Sequence, residues 1–182
     1  MAGKAYLGID ESNHGRFPEI YVGVYSQFPQ DIKESTEILP KRRNNGNVFS
    51  ELGGRQFKHL LIPEDYKIIY GPHNIRLIAY SELIAGFSGE NVGDLERVIL
   101  ERVIIDGPLR EEDLRKLRQF VSSTPHINSD AQNDTKFEIV NLADRVANLL
   151  HRYYTSSKSD SSLYVPYLIT PDLRKYDKLL VK

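Results

Sequence analysis

The sequence predicts an α/β domain in which helices flank a mixed β-sheet. Three observations carry this. Runs rich in β-branched residues and tyrosine mark the N-terminal part and return at Val103-Ile104-Ile105. Longer patterns with a 3.6-residue period fill the second half, and turn signals separate the two kinds of segment. The order is three strands, then helix, strand, helix, a short strand and helix. A three-strand meander thus leads into alternating helices and strands.

Residues 5–9 are a short apolar run ending at Asp10-Glu11-Ser12-Asn13-His14-Gly15, a strand opening into a polar turn. Residues 19–26 (EIYVGVYS) alternate and predict a second strand. Residues 56–62 (QFKHLLI) predict a third, and Pro63-Glu64-Asp65 has the form of a helix start. Residues 74–88 are apolar on most sides, and their length favours a buried helix stopped by Gly89. The strand ending in Val103-Ile104-Ile105 is broken by Asp106-Gly107-Pro108. Residues 110–121 carry acids in the first turn and Arg115, Lys116 and Arg118 later, the order a helix dipole favours. Leu114, Leu117 and Val121 give that helix one apolar face.

The last helix begins with the capping-box pattern Thr135-Lys136-Phe137-Glu138 and continues to about Tyr154. Ile139, Leu142, Ala143, Val146, Leu149 and Leu150 form its core stripe. Residues 155–162 (TSSKSDSS) are a Ser-rich tract with linker composition. Residues 163–170 then add a strand or dock on the body. This divides the chain into a domain over residues 1–154 and a C-terminal extension over 155–182 that docks on it.

Composition bounds the chemistry. The chain has 182 residues, which suits one domain, and its 24 Lys+Arg nearly balance 25 Asp+Glu. The absence of cysteine excludes thiol catalysis, zinc-thiolate sites and iron–sulfur clusters, and fits a reducing compartment. No apolar run is long enough to span a bilayer, and residues 1–4 are too short for a signal peptide, so a cytoplasmic location is expected. Charge is uneven along the chain. Residues 41–59 hold Lys41, Arg42, Arg43, Arg55 and Lys58 against Glu51 alone. Within them Arg42-Arg43-Asn44-Asn45-Gly46-Asn47 reads as a basic loop or hairpin tip, either a solvated surface loop or a track for phosphates.

Acidic residues fall at element boundaries. Asp10 and Glu11 end the first strand, Asp106 ends the strand after residues 103–105, Asp134 precedes the last helix and Asp144 lies within it. Strand ends on one edge of a sheet converge, so Asp10 and Asp106 share a site if their strands are neighbours. Clustered carboxylates repel one another, and a hard divalent cation is the usual reason for tolerating them. Each also has a plain structural use: Asp106-Gly107-Pro108 is a turn, and Asp134 complements a helix N-terminus. Asp144 lies about 40° outside the apolar arc of its helix, which suits either solvent or a cleft.

These residues resemble a known family. Tyr6-Leu7-Gly8-Ile9-Asp10-Glu11-Ser12 looks like the opening of type 2 ribonucleases H, whose first strand ends in Gly-Ile-Asp-Glu-Ala-Gly-Arg-Gly. Val103-Ile104-Ile105-Asp106-Gly107 is similar to the family's third-carboxylate strand, and Asp134-Thr135-Lys136-Phe137 resembles its Asp-Ala-Lys-Tyr element. The motifs span residues 6 to about 150. The resemblance implies an RNase H-like fold and a nuclease that hydrolyses phosphodiester bonds in RNA, RNA–DNA hybrid or DNA with two Mg²⁺ or Mn²⁺ ions. It implies Asp10 as the bridging ligand, Asp106 with Asp144 or Asp134 as further ligands, and Glu11 as a ligand or substrate-positioning group. His14, Arg42, Arg43 and Lys136 are the expected nucleic-acid contacts. Glu82 is a further candidate, because other ribonucleases H carry a glutamate on the first long helix.

Two departures bear on this. Asn13-His14-Gly15 stands where the family has Gly-Arg-Gly. The helix motif Ala143-Asp144-Arg145-Val146-Ala147 looks instead like the Ala-Asp-x-x-Ala pattern of other RNase H-like nucleases with an Asp-Glu-Ser opening, whose helix aspartate is the ligand. No Pro or Gly separates Asp134 from Asp144. An unbroken helix would hold them about 15 Å apart. The expectation is therefore that one of them is a bystander, and the Ala-Asp pattern favours Asp144 as the ligand. The competing expectation is a catalytically inert RNase H-like module that binds nucleic acid or a protein partner.

Overall fold

A computed structural model of the chain describes residues 3–12, 17–40, 48–88, 99–121, 125–156 and 161–180. Among them are five strands, β1 (Lys4–Ser12), β2 (Glu19–Ser26), β3 (Gln56–Ile62), β4 (Ile99–Asp106) and β5 (His126–Asp130). They form one sheet in the order β3-β2-β1-β4-β5. The meander β1-β2-β3 is antiparallel, while β4 and β5 join parallel to β1. The mixed sheet follows from connection length. The short link from β1 to β2 suits a hairpin, whereas β3 reaches β4 through a long helix, which gives the chain the length to return parallel to β1.

Among the described residues five α-helices accompany the sheet: α1 (Val48–Glu51), α2 (Glu64–Phe87), α3 (Glu111–Phe120), α4 (Asn133–Lys136) and α5 (Glu138–Thr155). Strand residues alternate between two cores. Leu7, Ile9, Tyr21, Leu60, Val103 and Ile105 face α2 and α3. Tyr6, Ile20, Val22, Val24 and Ile104 face α5, whose Ile139, Leu142, Ala143, Val146 and Leu150 are buried against them. The stripe read from the sequence is thus the buried face of α5, with Leu149 packed at its border.

Gly8 sets how closely α5 approaches β1. A Cβ at this position would lie 2.6 Å from the Ile139 carbonyl oxygen, closer than any side chain can come, so only glycine permits this crossing. On the other face α2 begins at Glu64, at the predicted start, and runs ten residues ahead of the expected 74–88 segment. It bends at Gly71-Pro72, where Gly71 leaves helical geometry.

The expectation of a single last helix is corrected. Phe137 is extended (φ −119°, ψ 125°), and it separates the single turn of α4 from α5. Thr135 and Lys136 spend their carbonyls on the backbone N–H groups of Leu39 and Ser35, which accounts for a break without Pro or Gly. The capping box does not form either. Phe137 rather than Thr135 precedes α5, and the Thr135 hydroxyl donates to the Gln132 carbonyl.

The C-terminal segment docks through short 3₁₀ turns at Ser161–Tyr167 and Leu173–Leu179. Leu168 makes an isolated parallel bridge to His59 at the β3 edge, with Ile169 N–H donating to the His59 carbonyl. Tyr176 is fully buried in the α2–α3 core, and Asn74 donates to the Leu179 carbonyl. No helix of the described residues is long and apolar enough to cross a membrane.

Candidate functional site

Parallel pairing of β1 with β4 in the register Ile9↔Ile105 brings Asp10 and Asp106 side by side at the strand ends. Both follow residues that face the α2 core, so their side chains turn to the α5 face. The third acid comes from α4. Asn133 anchors that turn by donating from Nδ2 to the Ile105 carbonyl at 2.8 Å. Asp134 N–H then donates to Asp106 Oδ1 at 3.3 Å, and Asn141 donates to the Asp134 carbonyl at 3.0 Å. One carboxylate oxygen from each of Asp10, Asp106 and Asp134 lies within 4.8 Å of the others.

Burial makes this proximity costly. Asp10 is 7% exposed and Asp134 is 2% exposed. Loss of water, followed by the charges of Asp144 and Asp106, raises the Asp10 carboxyl well above its usual range. The Glu11 backbone N–H, donating to Asp10 Oδ1 at 2.6 Å, opposes that rise. Asp134 adds a weaker field in the same direction as the other acids.

Asp144 stands outside the set of three yet acts on Asp10 more strongly than Asp106 does. Helix geometry explains why. Ile139 of α5 crosses Gly8 of β1, and Ser12 Oγ donates to Asn148 Oδ1 further along both elements. Four residues of strand and nine of helix both advance about 13 Å, which sets Asp144 nearly level with Asp10. Asn148 Nδ2 donates to Asp144 Oδ1 at 2.6 Å and fixes that carboxylate. The break at Phe137 thus removes the premise that one late aspartate must be remote. Asp134 joins Asp10 and Asp106, and Asp144 lies outside that group while its charge still acts on Asp10.

Glu11 alternates to the opposite sheet face. Its Oε2 lies 3.7 Å from Arg76 Nε of α2, and the buried Tyr21 hydroxyl faces the same carboxylate. Arg76 donates from Nε (3.3 Å) and Nη2 (3.1 Å) to Tyr80 Oη. Gly107, in the left-handed region at φ +93°, seats the guanidinium; a Cβ there would meet Arg76 Nη2 at 2.9 Å. Sequence reasoning missed Arg76. Its one signal was a permanent positive charge inside the largely apolar 74–88 run, a position seldom charged without a partner.

Other expected site residues lie elsewhere. Glu82 is buried away from the cluster, where its Oε1 accepts from the Tyr176 hydroxyl and Lys175 Nζ, both at 2.6 Å. It ties the C-terminal segment to α2. Lys136 on α4 pairs with Asp130 at 3.3 Å. His14, Arg42 and Arg43 lie outside the described residues. Two basic residues of the 41–59 stretch are engaged internally. Arg55 pairs with the buried Asp31 at 2.6 Å, and Lys58 Nζ donates to the Gly86 carbonyl at 2.7 Å.

The five-strand sheet, its order and its flanking helices define an RNase H-like α/β fold. In fold the chain is similar to solved structures of ribonucleases HII and HIII. One is the ribonuclease HII in the PCNA:RNase HII complex from Archaeoglobus fulgidus, with a TM-score of 0.56 and 16% identity over 79% of this chain and 71% of that one. Another is a variant of Bst-RNase HIII, with a TM-score of 0.53 and 11% identity over 83% of this chain. The chain covers 55% of the length of that protein. No protein-family model matches the sequence, and no curated protein matches it.

Proposed function

We propose that this chain is a divalent-metal-dependent nuclease that hydrolyses phosphodiester bonds in RNA, RNA–DNA hybrid or DNA. The observation that carries the reading is the set of three aspartates with carboxylate oxygens within 4.8 Å, two of them buried. Three hard oxygen donors at convergent backbone ends fit Mg²⁺ or Mn²⁺. Asp10, Asp106 and Asp134 would hold the metal, with Asp10 also within the field of Asp144. Asp144, whose charge acts on Asp10 from the same sheet face, would serve a second ion, whereas Glu11 lies on the opposite face beside Arg76. Divalent ions bound there supply water activation and charge stabilisation at the leaving oxygen.

The chain's own residues perform the remaining work. Asn133 and Asn141 fix α4, so the Asp134 carboxylate is positioned before any ligand arrives. Asn148 does the same for Asp144. Burial of Asp10 under α5 keeps bulk water from screening the cluster. Likeness in fold to ribonucleases HII and HIII supports phosphodiester chemistry and nucleic acid as the partner.

The test is cleavage of three fluorescein-labelled 20-nucleotide substrates, single-stranded RNA, an RNA–DNA hybrid and duplex DNA, with Mn²⁺, Mg²⁺ or EDTA. Cleavage of at least one is expected with metal and none in EDTA. Asp106→Asn should lower the rate by about 100-fold or more while the chain stays folded. Absence of cleavage together with absence of Asp106-dependent Mn²⁺ binding would overturn the proposal in favour of an inert module.

A further inference from the structure

We propose that Arg76 is the phosphate-binding side chain of this centre, placing its guanidinium on a non-bridging oxygen of the nucleic-acid backbone. The inference rests on the nuclease reading above and adds the group that meets the substrate's charge.

The need for such a group follows from the acids. Asp10, Glu11, Asp106, Asp134 and Asp144 surround two adjacent strand ends, and a polyanion approaching them meets like charge. Among the described residues, Arg76 is a cation that bridges those same ends. Its Nε faces Glu11, the residue after Asp10, and its Nη2 lies against Gly107, the residue after Asp106. It approaches from the α2 face, opposite α5, so it borders the cluster without entering the triad. The bend at Gly71-Pro72 lies one turn before it.

Its setting is that of a prepared donor. Tyr80 is buried and accepts from two guanidinium nitrogens, which fixes the plane of the fork. The contact to Glu11 at 3.7 Å is longer than an N–H···O hydrogen bond, so it orients the charge without closing into a bidentate pair. The side chain keeps 32% of its surface exposed. A planar, permanently charged fork held from behind by a phenol and open in front matches the geometry of phosphate recognition. The positive φ at Gly107, with no side chain in the way, lets the fork sit flush with the strand ends. A purely structural counter-ion for Glu11 would need neither the Tyr80 clamp nor this clearance.

The experiment measures binding of the three labelled oligonucleotides by fluorescence anisotropy in the cleavage-deficient Asp10→Asn background, across a series of KCl concentrations with Mg²⁺ present. Arg76→Met should weaken binding about tenfold to every oligonucleotide bound. It should also flatten the slope of log K against log[salt] by about 0.7–0.9, the signature of one lost phosphate contact. Arg76→Lys should keep the slope and weaken binding by a smaller factor, because it retains the charge and loses the fork. In the catalytically active chain, Arg76→Met should raise KM more than it lowers kcat. If Arg76→Met unfolds, Arg76→Lys carries the test, and parental affinity in that variant overturns the proposal. An unchanged affinity and salt slope in folded Arg76→Met, with only a lowered Tm, would make Arg76 a structural partner of Glu11. Failure of the parent to bind any of the three overturns the nuclease reading itself, which separates the two claims.

Discussion

Replacing Asp10 by Asn should make the metal-free protein more stable at neutral pH. Carboxylate oxygens of Asp10, Asp106 and Asp134 lie within 4.8 Å of one another, and two unit charges at that separation repel by about 3.5 kcal/mol at an effective dielectric near 20. Asp10 has two such neighbours and also feels Asp144. The fold can escape this repulsion by holding a proton on Asp10. Keeping a carboxyl with an ordinary value of 3.8 protonated at pH 7 costs about 4.4 kcal/mol, at 1.36 kcal/mol per pH unit, and this caps the penalty. Asparagine carries no charge and retains an oxygen to accept the Glu11 N–H. The expected gain is therefore about 2–4 kcal/mol, or roughly 5–12 °C in Tm for a chain of this size.

The sign with pH follows from linkage. Asp10's folded value is raised, so the folded state binds the proton more tightly than the unfolded chain does. Wild-type stability is then fully present below the unfolded value of 3.8 and declines as pH rises through the folded value. The gap between variant and wild type should vanish below about pH 4 and widen as pH rises from there. Urea unfolding in EDTA from pH 3.5 to 8 measures it, and Mn²⁺ should narrow the gap by stabilising the wild type more. A variant equal to or less stable than the wild type at pH 7 in EDTA would refute the reasoning.

Two further outcomes follow from packing and burial. Gly8→Ala places a methyl group 2.6 Å from the Ile139 carbonyl oxygen, so α5 must shift; thermal unfolding should show a loss of about 3 kcal/mol, and Mn²⁺ affinity should fall as Asp10 and Asp144 separate. His59 is fully buried with Nε2 2.8 Å from Tyr154 Oη, and burial lowers its value to about 4. It therefore contributes stability that is present above the unfolded value of 6.5 and is lost as pH falls towards 4, by up to about 3 kcal/mol. An NMR titration should show the His59 ring unchanged at pH 5.5; a midpoint near 6.5 would contradict this burial.

Much of the fold was legible because local pattern and tertiary role coincide. The alternation of residues 19–26 and the run 56–62 are the observed bounds of β2 and β3, since each strand buries what the pattern marked as apolar. Asp10 and Asp106 were legible as neighbours because strand ends converge wherever their strands pair. The separation of α4 from α5 was not. It depends on hydrogen bonds from Ser35 and Leu39 to carbonyls about a hundred residues away, and nothing local to Phe137 announces them. The register of α5 over β1 was hidden for a similar reason. It is set by the Gly8–Ile139 crossing and the Ser12–Asn148 hydrogen bond, both between distant segments. Glu82 misled because its place on α2 fitted a ligand, while its partners Lys175 and Tyr176 lie in the C-terminal extension.

The central claim is that the aspartates form a divalent-metal centre, and anomalous scattering from crystals grown with Mn²⁺ tests it most directly. A peak bounded by the carboxylates of Asp10, Asp106 and Asp134 is expected, lost in Asp106→Asn crystals grown in the same way. Fully occupied Mn²⁺ elsewhere on the protein, with no peak among these three carboxylates, would contradict it.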